Sequence, residues 1–243
     1  MKNKKKYSVC LLLLITCKLW AEAPEWFIPL RDAVYEQQLS GGENLSIYTS
    51  VKQQAENIAS EVERYIIFAK CENLMGQAYQ REGKNTDAVT HYERGESYSK
   101  LALGKQPTSE GYYVLAESIS LLCDLKGFGY QVKNGQRFID NANKAISLDP
   151  HNAAAKYLLA AMYAFPNPPF RNLTKAKQRL EDILNNDNEY MPKDVCFKVY
   201  YALGVVYQKE NKPNDAKSWF EKALLLYPTN KDVKNRLKEI SHN

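Results

Sequence analysis

Residues 197–228, FKVYYALGVVYQKENKPNDAKSWFEKALLLYP, read as two short amphipathic helices folded back on each other. The first half puts Leu203, Gly204 and Tyr207 on one helical face, and the second puts Ala216, Phe220 and Ala223 on the face that meets it. Between them Glu210-Asn211-Lys212-Pro213-Asn214-Asp215 makes a turn, in which Pro213 pushes Lys212 out of the helical region and Asn214 or Asp215 is placed to cap the second helix. Small residues at Gly204, Ala216 and Ala223 let the two backbones approach closely, and the rings of Tyr207 and Phe220 fill the wedge that remains.

Outward from this stretch the same pattern recurs in looser form. Residues 69–102 set Met75, Gly76 and Tyr79 against Ala88, Tyr92 and Gly95 across the turn Glu82-Gly83-Lys84-Asn85, and Gly104, Pro107 and Ser109 mark the passage to the next unit. Residues 109–150 set Leu115, Ala116 and Ile119 against Phe138, Ala142 and Ala145, and close on Leu148-Asp149-Pro150. Here Gly127-Phe128-Gly129-Tyr130 predicts an interruption, so that the partner helix spans 136–148 after a turn about ten residues longer than usual. Residues 153–190 set Leu159, Ala160 and Tyr163 against Ala176, Leu180 and Ile183. Their insertion at 165–173 begins Phe165-Pro166-Asn167-Pro168-Pro169-Phe170, where three prolines forbid a helix.

The flanks are plainer. Trp26, Phe27, Leu30, Val34 and Leu39 predict a helix over 25–39 ended by Ser40-Gly41-Gly42; Glu43-Asn44 then caps a second, carrying Ile47, Val51, Ala55, Ile58 and Val62. Residues 24–66 are either a degenerate repeat or a plain hairpin. Residues 231–243 show a narrow stripe of Val233, Leu237 and Ile240 on a charged helix, as an end cap does.

Counted from Phe197, Tyr200 falls at position 4, Leu203 at 7, Gly204 at 8, Tyr207 at 11, Ala216 at 20, Phe220 at 24, Ala223 at 27 and Pro228 at 32. This resembles the tetratricopeptide repeat, a helix-turn-helix unit of 34 residues. The resemblance implies an all-α solenoid of helical hairpins wound into a right-handed superhelix, with about four repeats, and a protein that binds rather than catalyses. It also implies that positions 2, 5, 9, 12 and 13 of each first helix face a concave groove. Position 5 is Asn73, then Tyr113, Tyr157 and Tyr201; with Gln77, Arg81, Glu117 and Gln208 these tyrosines make a candidate partner-binding groove, apolar in body and polar at the tips. Tyrosines packed against the neighbouring repeat are the alternative. The stretch 142–183 further resembles the periplasmic T components of tripartite (TRAP) solute transporters, although those carry Gly-Gly where this chain has Arg171-Asn172-Leu173. That resemblance implies an accessory subunit of solute uptake, binding a small ligand or a transporter binding protein.

Composition narrows the function classes. The formal charge is +5, yet beyond residue 23 the balance is 28 basic against 27 acidic residues, which excludes the concentrated basic surface that nucleic acid demands. The excess sits in the first 23 residues, where a Lys-rich start, the apolar run 9–15 and the site Ala21-Glu22-Ala23 have the form of a secretory signal peptide. Cleavage after Ala23 or after Ala21, and lipid attachment at Cys17 within Leu14-Ile15-Thr16-Cys17, are the open alternatives, beside an uncleaved membrane anchor that the short apolar run disfavours; among the export readings, to the periplasm or cell envelope, only lipidation adds a membrane. Cys71, Cys123 and Cys196 form no CxxC pair and suggest neither a disulfide framework nor a metal site. His91, His151 and His242 stand far apart, no phosphate loop or nucleophile elbow is present, and no length remains for a fused enzyme. The expectation is a non-enzymatic scaffold with no catalytic residues, no cofactor and no metal, whose partner is another protein or a peptide.

Overall fold

Capping residues set the helix boundaries. The computed structural model describes residues 24–167 and 170–241; the signal-peptide reading, Cys17 and His242 lie outside the described residues. Among the described residues there are eleven α-helices, two 3-10 turns and no strand. The helices are α1 (Ile28–Glu36), α2 (Gly41–Ala55), α3 (Glu61–Arg81), α4 (Asn85–Lys105), α5 (Ser109–Lys126) and α6 (Phe128–Leu148). They continue as α7 (Ala153–Ala164), α8 (Leu173–Asn186), α9 (Lys193–Lys209), α10 (Pro213–Leu226) and α11 (Lys231–Ser241). The Ser60, Thr108, Asn152 and Asn172 side chains each accept an orphan amide three residues on, opening α3, α5, α7 and α8.

The pairs α3/α4, α5/α6, α7/α8 and α9/α10 are the four hairpins, and each packs on the next. The fit within a hairpin is close where the sequence places glycine. A Cβ on Gly204 would lie 2.5 Å from Phe220 Cε1, and one on Gly76 would run into the ring of Tyr92. Phe220, Tyr92, Met75 and Leu203 are wholly buried there. The α3–α4 and α9–α10 turns match in backbone, with a left-handed residue at the same place in each, Gly83 (φ 73°) and Asn211 (φ 58°).

Several expected boundaries move. The cap of α2 is Ser40, whose Oγ accepts the Glu43 amide at 3.2 Å while Glu43 Oε2 accepts the Ser40 amide at 2.7 Å; Gly41 and Gly42 therefore begin α2 rather than end α1. The first helix stops at a left-handed Gln37 (φ 57°). Ile58 lies in a loop and Val62 opens α3, because Ser60 starts a new helix between them. Lys212, whose side chain makes no capping bond, is the cap of α10, and Asn214 and Asp215 lie inside its first turn. The largest change is in the second hairpin. The long turn expected near 126–135 is absent: Gly127 alone (φ 77°) separates α5 from α6, and the extra residues are helical. Glycines at 129 and 135 do not break α6, since a lone glycine costs a helix only about 1 kcal/mol. At Gly135 a methyl group would meet nothing within 4 Å, so Gly135→Ala should raise stability by about 0.5–1 kcal/mol, read as a higher midpoint in urea with an unchanged m value.

On the N-terminal side α2 docks on the first hairpin over a buried acid. Glu72 is wholly buried; its Oε1 accepts from Tyr48 Oη at 2.6 Å and Lys52 Nζ at 3.0 Å, and its Oε2 from His91 Nδ1 at 2.7 Å. Lys52 Nζ also lies 5.0–5.2 Å from the ring centres of Tyr48, Phe68 and Tyr98.

The stack does not stay open. One apolar cluster joins Phe27, Leu30 and Val34 of the N-terminal turn and α1 with Phe197, Phe220, Tyr227 and Val233 from the other end of the chain. Helix α1 packs on α2 and α3 and also reaches α9. The end helix α11 has one face inward, as its stripe predicts, and Val233 is fully buried.

Candidate protein-binding groove

The first helices α3, α5, α7 and α9 carry the expected groove residues; contacts between neighbouring repeats bury Tyr113, while α1 packs on α3 and reaches α9. Tyr113 and Glu117 are buried, which departs from an open lining: Tyr113 Oη donates to Glu117 Oε1 at 2.9 Å, one turn apart on α5. Glu117 also accepts from Asn73 Nδ2 of α3 at 3.1 Å and from Lys198 Nζ of α9 at 2.9 Å. Burial alone would raise the Glu117 pKa, but Lys198 and these hydrogen bonds overcome it and hold the carboxyl below its usual range. Burial would likewise lower the Lys198 pKa, and Glu117 and Tyr113 drive it well up. The carboxylate at the centre of the groove is thus already matched, and Tyr113→Ala should cost about 3 kcal/mol in a denaturant titration, as removal of a packed ring does.

The other positions are more open. Tyr157 is partly buried on α7, where burial, partly offset by Lys198, pushes its hydroxyl pKa up. Tyr201 is partly exposed and stacks between Phe197 and Phe165, each 6.2 Å away. Gln208 faces the end cap, with Nε2 3.2 Å from Glu239 Oε2. Gln77 is partly buried on α3. Arg81, at the end of α3, donates from Nη2 to the carbonyl of Val34 at 2.7 Å.

That last contact leads to residues that repeat positions alone do not reveal. Asp32 of α1 lies 3.0 Å from Lys193 Nζ and accepts from Tyr227 Oη at 3.1 Å. Tyr35 stacks on Tyr227 at 5.1 Å and meets Phe197 edge-on at 5.4 Å. Gln37 donates to Asp232 at 2.7 Å and accepts the Lys231 amide at 2.9 Å. The Thr229 amide donates to Glu36 Oε2 at 2.9 Å. Lys198 stands at groove position 2 of its repeat and was legible on that ground; the α1 contacts with α9 and the C-terminal end, between residues about 160 to 195 apart, carry no local signal.

Among the described residues no group of three or more His, Cys, Asp or Glu is arranged to hold a metal ion. Cys71 is buried, and Cys123 and Cys196 are partly so; all three are free thiols.

These hairpins define a helical-repeat solenoid. The family model of the tetratricopeptide repeat matches residues 197–230, the stretch with the full signature. The crystal structure of TTC0263, a thermophilic TPR protein of Thermus thermophilus, superposes with a TM-score of 0.54 at 16% identity, over 84% of this chain and 91% of that one. YrrB, a TPR protein with an unusual peptide-binding site, aligns over 96% of this chain and 98% of its own at 12% identity, with a TM-score of 0.36. No curated protein matches the sequence. The chain carries a tetratricopeptide repeat at 197–230 and has the all-α solenoid fold of a TPR protein.

Proposed function

We propose that this chain is a non-enzymatic scaffold that binds another protein or a peptide through its concave face, and that it works in the cell envelope after export. One observation carries the binding reading: the stack already holds a helical segment, α1, against α3 and α9, by hydrogen bonds to its backbone, ion pairs and aromatic contacts together. Beside that helix Gln77, Tyr157 and Tyr201 keep part of their surface in solvent, and such half-exposed tyrosines suit recognition. The reading of the first 23 residues as an export signal supports the address.

The test is affinity capture with the full chain as bait. A partner from the source cell should be retained at micromolar bait, and the double variant Gln77→Ala/Tyr157→Ala should retain it at least about tenfold less. Equal retention by both baits, or none above a blank column, would count against the concave face. For the address, a fusion to a reporter active only outside the cytosol should signal with residues 1–23 and fall silent without them.

A further inference from the structure

Helix α1 is held in the way a ligand is held. The last four carbonyls of a helix have no partner within it. In α1 the Ala33 carbonyl takes the Gln37 amide at 3.2 Å, and the other three take side-chain donors from distant parts of the chain. Arg81 Nη2 donates to Val34 at 2.7 Å, Asn230 Nδ2 to Tyr35 at 2.7 Å, and Thr229 Oγ1 to Glu36 at 2.8 Å. The Arg81 guanidinium also lies at the negative end of the helix dipole. Asn230 does double duty, because its Oδ1 accepts the Val233 amide at 3.0 Å and so opens α11.

These donors read backbone, not side chains, so they would serve any helix that ends at this point. Side-chain recognition is separate: Leu30 and Val34 are wholly buried, and the Tyr35 ring lies between Tyr227 and Phe197. Lys198 Nζ of α9 lies 5.9 Å from the centre of the Tyr35 ring.

We propose that Arg81, Thr229 and Asn230, over the apolar floor of Phe197 and Tyr227, form a receptor for the C-terminal end of an amphipathic helix, with α1 as its resident occupant and a partner's helix of the same kind as its displacer. The inference rests on the protein-binding reading and names the class of partner. Residues 37–40 are a short tether, so α1 competes at an effective concentration on the order of millimolar. An incoming helix therefore succeeds when α1 is disengaged or when its own apolar face fits better.

The probe is a fluorescein-labelled synthetic peptide of residues 24–40, followed by anisotropy against the full chain. A chain carrying Leu30→Asp and Val34→Asp, which loosens the resident helix and leaves the receptor intact, should bind the probe about 100-fold more tightly than wild type does. A probe with Val34→Asp should lose that binding, and so should Arg81→Ala added to the opened chain. Should the double-Asp chain lose its helical circular dichroism, Asp32→Ala/Glu36→Ala gives the same comparison while cutting only the contacts of these two carboxylates with Lys193, Tyr227 and Thr229. An opened, folded chain that binds the probe no better than wild type overturns the receptor. The protein-binding reading stands or falls separately, in the capture experiment with the unopened chain.

Discussion

Gly204→Leu should lower the thermal midpoint by about 6–12 °C, the equivalent of about 3 kcal/mol in a chain of this size. Even the first carbon of the new side chain would stand 2.5 Å from Phe220 Cε1, well inside van der Waals contact. Phe220 cannot yield, because it is fully buried and its ring is 5.8 Å from that of Tyr201. The backbones of α9 and α10 would have to part instead, and α10 carries the apolar cluster that reaches α1. A melting curve that superposes on wild type would mean that the α9–α10 contact is not the tight one described. Gly135→Ala, in open space on α6, is the matched control and moves the other way.

Glu72→Ala should cost about 3–5 kcal/mol, since removing one member of a buried ion pair strands the other. Lys52, Tyr48 and His91 all point at this carboxylate, and truncation leaves Tyr48 and His91 without an acceptor and Lys52 with only the Tyr48 hydroxyl. The pH dependence follows from the same contacts. Burial would raise the Glu72 pKa, but the hydrogen bonds from His91, Tyr48 and Lys52 outweigh it and hold the value below the ordinary 4.5. A carboxyl depressed in the folded state contributes stability that is complete above its unfolded pKa and is lost as pH falls through the folded one. Glu72→Gln should therefore flatten the acid limb below pH 4.5 by up to about 1.4 kcal/mol per pH unit, one proton's worth. Parallel acid limbs in urea titrations of wild type and variant would show that Glu72 is not ionised as described.

The hairpins were legible because their information is local. The residues that pack within a unit lie a fixed number of positions apart, so Gly204 and Phe220, or Gly76 and Tyr92, announce their meeting in the sequence. The second hairpin was misjudged at its turn because glycines at 127, 129 and 135 look alike as letters. Only Gly127 takes a left-handed backbone, and it alone ends a helix. The groove was legible in position and not in state. Counting repeats correctly puts Tyr113, Glu117, Tyr157 and Tyr201 on the first helices, but exposure depends on what covers them. Tyr113 is covered by the neighbouring repeats, in a cluster with Ile66 and Ala69 of α3 and Leu158 of α7, and Glu117 by Lys198, a contact that spans 81 residues and leaves no periodic trace.

The closing of the stack by α1 sets an order of events during synthesis. Helix α1 is made early, while Phe197, Tyr227, Thr229 and Asn230, which hold it, are among the last residues made. At ordinary translation speeds the gap is roughly 10–40 s. Throughout that interval Leu30, Val34 and Tyr35 have only the first hairpins to lean on, and the apolar side meant for α9 stays uncovered. Until those residues emerge, the nascent chain carries an apolar nine-residue segment too short to hold a helix unaided.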